Sequence, residues 1–169
     1  MLCLRLRKKD VAHIAPANLR NLDENQARPQ LTVTGLRILS KTRGRYDIDV
    51  TLANPSRAIQ TVVLPPELSI ESMPRAMAAS HVSEFEMMPG QESTFAWSAQ
   101  VDNVAIAQSM RIMQEVMTGE KTVTIRTYFK DSHGRWYTRR VLGRFSAGLF
   151  STVGAPQSEP SPAPDAQGP

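Results

Sequence analysis

Cysteine, histidine, aromatic residues and long apolar runs are all scarce in this chain. The single cysteine, Cys3, cannot form an internal disulfide and cannot build a thiolate zinc site. That suits a reducing compartment. There are three histidines, His13, His81 and His133, and no His-x-x-x-His or Glu-x-x-His pair, so neither a metal nor a cofactor is expected. No apolar run approaches the roughly 18 residues of a membrane-crossing helix. The charges at the start, Arg5, Arg7, Lys8 and Lys9, follow the short apolar run instead of preceding it, so no secretory signal is read there. Met1-Leu-Cys excludes myristoylation, and the C-terminus has no prenylation box. The expectation is a cytoplasmic or nuclear protein.

Catalytic signatures are missing as well. There is no glycine-rich phosphate loop and no serine-hydrolase elbow. Cys3 lies in a terminal arm, away from the rigid neighbour a nucleophile needs. Asp131 and His133 are close in sequence, but a hairpin tip uses Asp as a turn cap and leaves His in water. The chain therefore reads as a non-enzyme. An enzyme with an unrecognised site is the weakest alternative.

What is present is β-pattern. The clearest hairpin runs from Lys121 to Leu142. Its first arm is rich in Thr, Val, Ile, Tyr and Phe, and its turn runs from Asp131 to Gly134. Along the first arm Phe129 shares a face with Val123 and Ile125, which marks the core side. Tyr128 shares the other face with Arg126 and Lys130. Trp136 and Tyr137 cannot both point inward without a bulge.

Earlier, Leu31 to Leu39 alternates with a parity change at Gly35, which suggests a bulge. Tyr46, Ile48, Val50 and Leu52 alternate with Asp47, Asp49 and Thr51, two acids expected to be neutralised across the turn by Arg43 and Arg45. Ala58 to Leu64 reads as a strand stopped by Pro65-Pro66, with a short strand at Leu68 to Ile70. Ser83 to Met88 and Glu92 to Val101 are further strands, the latter with Phe95, Trp97 and Ala99 on one face. The period then changes. Ile106, Met110, Met113 and Met117 recur at helical spacing, predicting a helix over about residues 103–118 ended by Gly119.

These elements predict a mainly β protein, an antiparallel β-sandwich of immunoglobulin-like or jelly-roll-like kind with one inserted amphipathic helix. The expected organisation is a basic arm over residues 1–30, a β-rich domain over 31–153, and a disordered Pro-rich tail over 154–169.

Charge is segregated along the chain. Residues 1–45 hold ten basic and three acidic residues, 46–120 three and ten, and 121–144 seven and one. If the two basic flanks fold side by side, they make one basic surface of Arg5, Arg7, Lys8, Lys9, Arg43, Arg45, Arg126, Tyr128, Lys130, Arg135, Arg139 and Arg140. Aromatics among cations suit stacking and phosphate contacts. The functional expectation is a structural or interaction protein whose basic face binds an anionic polymer such as RNA, or a membrane surface. Small virus-encoded matrix-like or virion proteins share this build by architectural analogy. The alternative is an immunoglobulin-like module that binds a protein through a sheet edge or the face of Met110, Met113 and Met117.

Overall fold

The computed structural model describes residues 30–42, 44–56, 61–73, 76–79, 83–100, 106–131 and 133–161. Nine strands and one helix are seen among them. In chain order they are β1 (Thr32–Thr42), β2 (Arg45–Ala53), β3 (Thr61–Ile70), β4 (Phe85–Met87), β5 (Glu92–Gln100), α1 (Ile106–Met117), β6 (Val123–Lys130), β7 (Trp136–Ser146), β8 (Leu149–Thr152) and β9 (Gln157–Pro160). All pairings are antiparallel. A three-stranded sheet runs β1-β2-β5. A six-stranded sheet runs β4-β3-β6-β7-β8, with β9 also on β7.

The described residues form an antiparallel β-sandwich with one helix, and the alternation read from the sequence explains why. Ile48, Val50 and Leu52 on β2, and Val123, Ile125 and Phe129 on β6, are completely buried. They belong to one hydrophobic core shared by both sheets and α1. Alternation at period two leaves each sheet with one apolar and one polar face, so the apolar faces close on each other. Phe85 of β4 meets Phe95 of β5 edge-on at 5.6 Å, joining the sheets along one side. β1 approaches β8 along the other.

The helix lies at one end of the sandwich. Its ladder ends where the Gly119 N–H donates to the Val116 carbonyl at 3.0 Å, with Gly119 at φ +82°. The buried row is Ser109, Ile112, Met113 and Val116. Met110 and Met117 stand exposed, which corrects the methionine face expected from spacing. Both rows have helical periodicity and share Met113. The helix has turned its β-branched residues inward and left two methionines at the margin.

Two other expectations change, and one holds. Pro65-Pro66 does not end a strand, because β3 passes through both. They occupy a bulge, where the register against β6 shifts between Leu64 and Glu67. A proline has no N–H for the ladder, and a bulge absorbs that loss. The bulge expected at Gly35 is present, between Val33 and Gly35. The tail is not wholly irregular, since Gln157–Pro160 pairs with Tyr137 to Arg140. The exposed edge of β7 beyond β8 recruits it through backbone bonds, which need no apolar side chain. Residues 1–29 and 162–169, and with them most of the expected arm and half of the tail, lie outside the described residues.

The acids of β2 are neutralised chiefly by Arg37, Ser98 and Lys41, with Arg45, one of the two expected partners, contributing at Asp47; Arg43 lies outside the described residues. Asp49 is bonded to Arg37 of β1. Asp47 accepts from the Ser98 hydroxyl at 2.7 Å and faces Lys41 at 3.4 Å. The Ser98 hydrogen bond, helped by Lys41 and Arg45, holds the Asp47 carboxyl below its ordinary value against an opposing desolvation. A carboxyl with a lowered folded pKa stabilises the fold above its unfolded pKa, near 4, and loses that contribution as pH falls through the folded value. Thermal unfolding from neutral to strongly acidic pH should therefore fall less steeply in acid for Asp47→Asn than for wild type. Identical acid limbs would contradict the assignment.

Candidate functional site

The β6–β7 register decides which of the candidate side chains share a surface. Val123, Ile125, Thr127 and Phe129 point inward, so Thr124, Arg126, Tyr128 and Lys130 point outward. On β7 the pairs Phe129↔Tyr137, Thr127↔Arg139 and Ile125↔Val141 carry the inner face across. The outer face is then Trp136, Thr138, Arg140, Leu142 and Arg144. Tyr137 is inside, stacked on Phe129 at 5.8 Å, and Trp136 is outside, so no bulge is needed between them.

Arg126, Tyr128, Lys130 and Arg140 therefore gather on the outer face of the six-stranded sheet. Arg126 stands directly opposite Arg140. Glu67 of β3 lies 3.5 Å from Arg126 Nη1 and accepts the Tyr128 hydroxyl at 3.3 Å. Burial, more than the nearby Glu67, pushes the Tyr128 phenol above its ordinary value and keeps it a neutral donor. Lys130 pairs with Glu84 at 2.6 Å and lies 4.7 Å above the Trp136 ring. Both outward aromatics are thus engaged. Arg140 and Arg144 are exposed, and among the described residues neither has a carboxylate partner.

Arg139 is separated from this group. It points to the inner face opposite Thr127, because consecutive strand residues alternate. Thr127 is buried, and its Oγ1 and the Arg139 Nε have no hydrogen-bond partner. Burial lowers the Arg139 pKa, and no carboxylate among the described residues pairs with it. An unpaired charge on an apolar face costs stability, discounted here because the residue is only half-buried. Arg139→Met should accordingly raise stability by about 1 kcal/mol, read as a higher unfolding temperature. A loss of similar size would show that the guanidinium has a stabilising partner.

Arg135 sits in the exposed β6–β7 turn. Asp131 Oδ1 accepts from the backbone N–H groups of His133 at 2.8 Å and Arg135 at 2.9 Å. That is the turn-capping role, and His133 is exposed beside it. Among the described residues no group of three His, Cys, Asp or Glu side chains is placed to hold a metal. A shallow depression of about 350 Å³ lies on the other sheet, lined by Gly35, Leu36, Arg37, Asp49, Thr51 and Thr94. Its Arg37–Asp49 pair is internally neutralised.

The described cations of the two basic flanks lie in different sheets. Arg45 and the cations of β1 belong to the three-stranded sheet, while the β6–β7 hairpin sits between β3 and β8 in the other. Carboxylates are also interspersed: Asp47 and Asp49 among the first set, Glu67 and Glu84 among the second. Arg5, Arg7, Lys8, Lys9 and Arg43 lie outside the described residues. The single broad surface expected from sequence reduces, within the described chain, to the hairpin's outer face. The signal that sequence reasoning missed is Arg144, two residues beyond Leu142 and in phase with Arg140.

No protein-family model and no curated protein sequence matches the chain. Among solved structures, a β-glucosidase from Kluyveromyces marxianus in complex with glucose aligns over 78% of this chain and 15% of its own, at 12% identity and a TM-score of 0.30. The chain thus spans under one sixth of that enzyme, and a likeness this slight says nothing of activity.

Proposed function

We propose that this protein is a non-enzymatic interaction module that docks an anionic partner on the outer face of its six-stranded sheet. The observation that carries this reading is the Arg126↔Arg140 pair. Like charges directly opposite on one sheet face destabilise it. Glu67 relieves Arg126 only, and Arg140 has Gln157 on its other side. Arg144 extends the same face. Two exposed guanidiniums with no ion pair among the described residues, beside a third, are costly for the fold and suited to phosphate or carboxylate groups, which they bind bidentately.

The helix supports the protein-binding alternative less well. Met113, at the centre of its methionine row, is a core residue.

Binding of this kind is electrostatic and must weaken with salt. The protein should be retained on heparin at low salt and elute as salt rises, its affinity falling by tenfold or more between about 50 and 200 mM salt. A parallel gel shift with single-stranded RNA and flotation with anionic vesicles identify the partner class. Silence in all three assays at low salt would end the proposal.

A further inference from the structure

We infer that the anionic partner is a lipid bilayer surface and that the β7–β8 hairpin is the element that enters it. This rests on the docking reading above and adds the chemistry of the partner.

Three aliphatic side chains near the β7–β8 hairpin stand exposed. Leu142 is 48% exposed, Leu149 75% and Val153 46%. Single exposed apolar residues need no explanation, but a cluster does. These three share one sheet face. The register pairs Arg144 with Ser151 and Ser146 with Leu149, and the Val153 N–H donates to the Leu142 carbonyl at 2.8 Å. Down the outer face the rows are therefore Arg140, then Leu142 with Val153, then Arg144 with Ser151, then Leu149 at the turn. The stripe from Leu142 to the Leu149 row runs about 13 Å, four residues at strand rise.

The turn itself is tight. Ala147 and Gly148 both have positive φ, +50° and +78°, the two-residue connection that keeps a hairpin twisted and rigid. Leu149, the most exposed of the large hydrophobic residues described, follows immediately. A rigid tip with an outward leucine, and arginines one and three rows behind with Leu142 and Val153 between them, matches the layering of a bilayer boundary. Aliphatic groups enter the acyl region while guanidiniums stay with phosphates.

The same face argues against nucleic acid. Base stacking requires free aromatic rings. Here Tyr128 is hydrogen-bonded to Glu67 and half-buried, and Trp136 lies under Lys130. Apart from Glu159 opposite Thr138, what this surface offers freely is aliphatic and cationic.

Flotation of the full chain tests the inference, using phosphatidylcholine vesicles with and without phosphatidylserine at low salt. Wild type should float with the anionic vesicles only. The Leu142→Ser, Leu149→Ser double variant should bind them about tenfold more weakly or less, with unchanged heparin retention. Should the double variant misfold, Leu149→Ser alone carries the test. Equal flotation of variant and wild type would overturn insertion of the hairpin. Heparin or RNA binding by wild type without flotation would overturn the lipid inference and leave the docking reading standing. No binding to any probe would remove both.

Discussion

Phe129→Ala should cost about 3–5 kcal/mol of stability, a large part of the 5–15 kcal/mol that a domain of this kind holds. Phe129 is fully buried near the C-terminal end of β6, stacked on Tyr137, and faces Val63 of β3 across the ladder. Beside it the Thr61 hydroxyl donates to the Lys130 carbonyl at 2.7 Å, fixing the neighbouring strand. Truncation removes a large apolar transfer term and leaves a cavity that β-ladders on both sides prevent from collapsing. Urea unfolding should show a midpoint lower by about 2 M at an unchanged slope. A loss under 1 kcal/mol would mean that the strand does not stand at the centre of the core.

The second large effect is expected at Gly119. It is the left-handed residue that ends α1, and a Cβ there would lie 2.2 Å from the Phe145 carbonyl oxygen. That oxygen belongs to β7 and cannot rotate away. Gly119→Ala therefore combines the left-handed cost, about 1 kcal/mol, with a backbone collision that forces the helix end off the sheet, worth about 1–3 kcal/mol more. Gly134 supplies the control. It has φ +77° with nothing within 4 Å of the added carbon. Gly134→Ala should show only the conformational cost. Equal losses in denaturant unfolding of the two variants would contradict the placement of α1 against β7.

Local rules were enough for much of the fold. Alternation placed Phe129 inside and Tyr128 outside, the parity change located the bulge at Gly35, and the Asp131 to Gly134 turn was legible from residue type. Each of these is decided within a few residues. What failed was decided at a distance. Whether Pro65-Pro66 breaks a strand depends on β6 accepting a bulge opposite it. Whether Gln157–Pro160 is ordered depends on the free edge of β7. The helix offered two overlapping rows through Met113, and only the sheet beneath chose between them.

The candidate site divides the same way. Arg126, Lys130 and Arg140 could be grouped by parity, and Arg139 could have been excluded by it, being adjacent to Arg140 in a strand. That Arg37, Lys41 and Arg45 belong to a different sheet from the β6–β7 hairpin could not be read from the sequence, because strand order is a long-range property. Charge segregation along a chain is not segregation in space.

The claim most in need of testing is that the location of charge, more than its amount, governs docking. Two double variants separate these: Arg140→Gln with Arg144→Gln on the six-stranded sheet, and Arg37→Gln with Lys41→Gln on the three-stranded one. Each removes two positive charges, the first pair lacking carboxylate partners and the second already bonded to Asp49 and Asp47. The salt concentration needed to elute each from heparin is the measurement. The account predicts a marked drop for the first and little change for the second. Equal drops would show that net charge alone binds the polyanion and that the hairpin face has no special part in it.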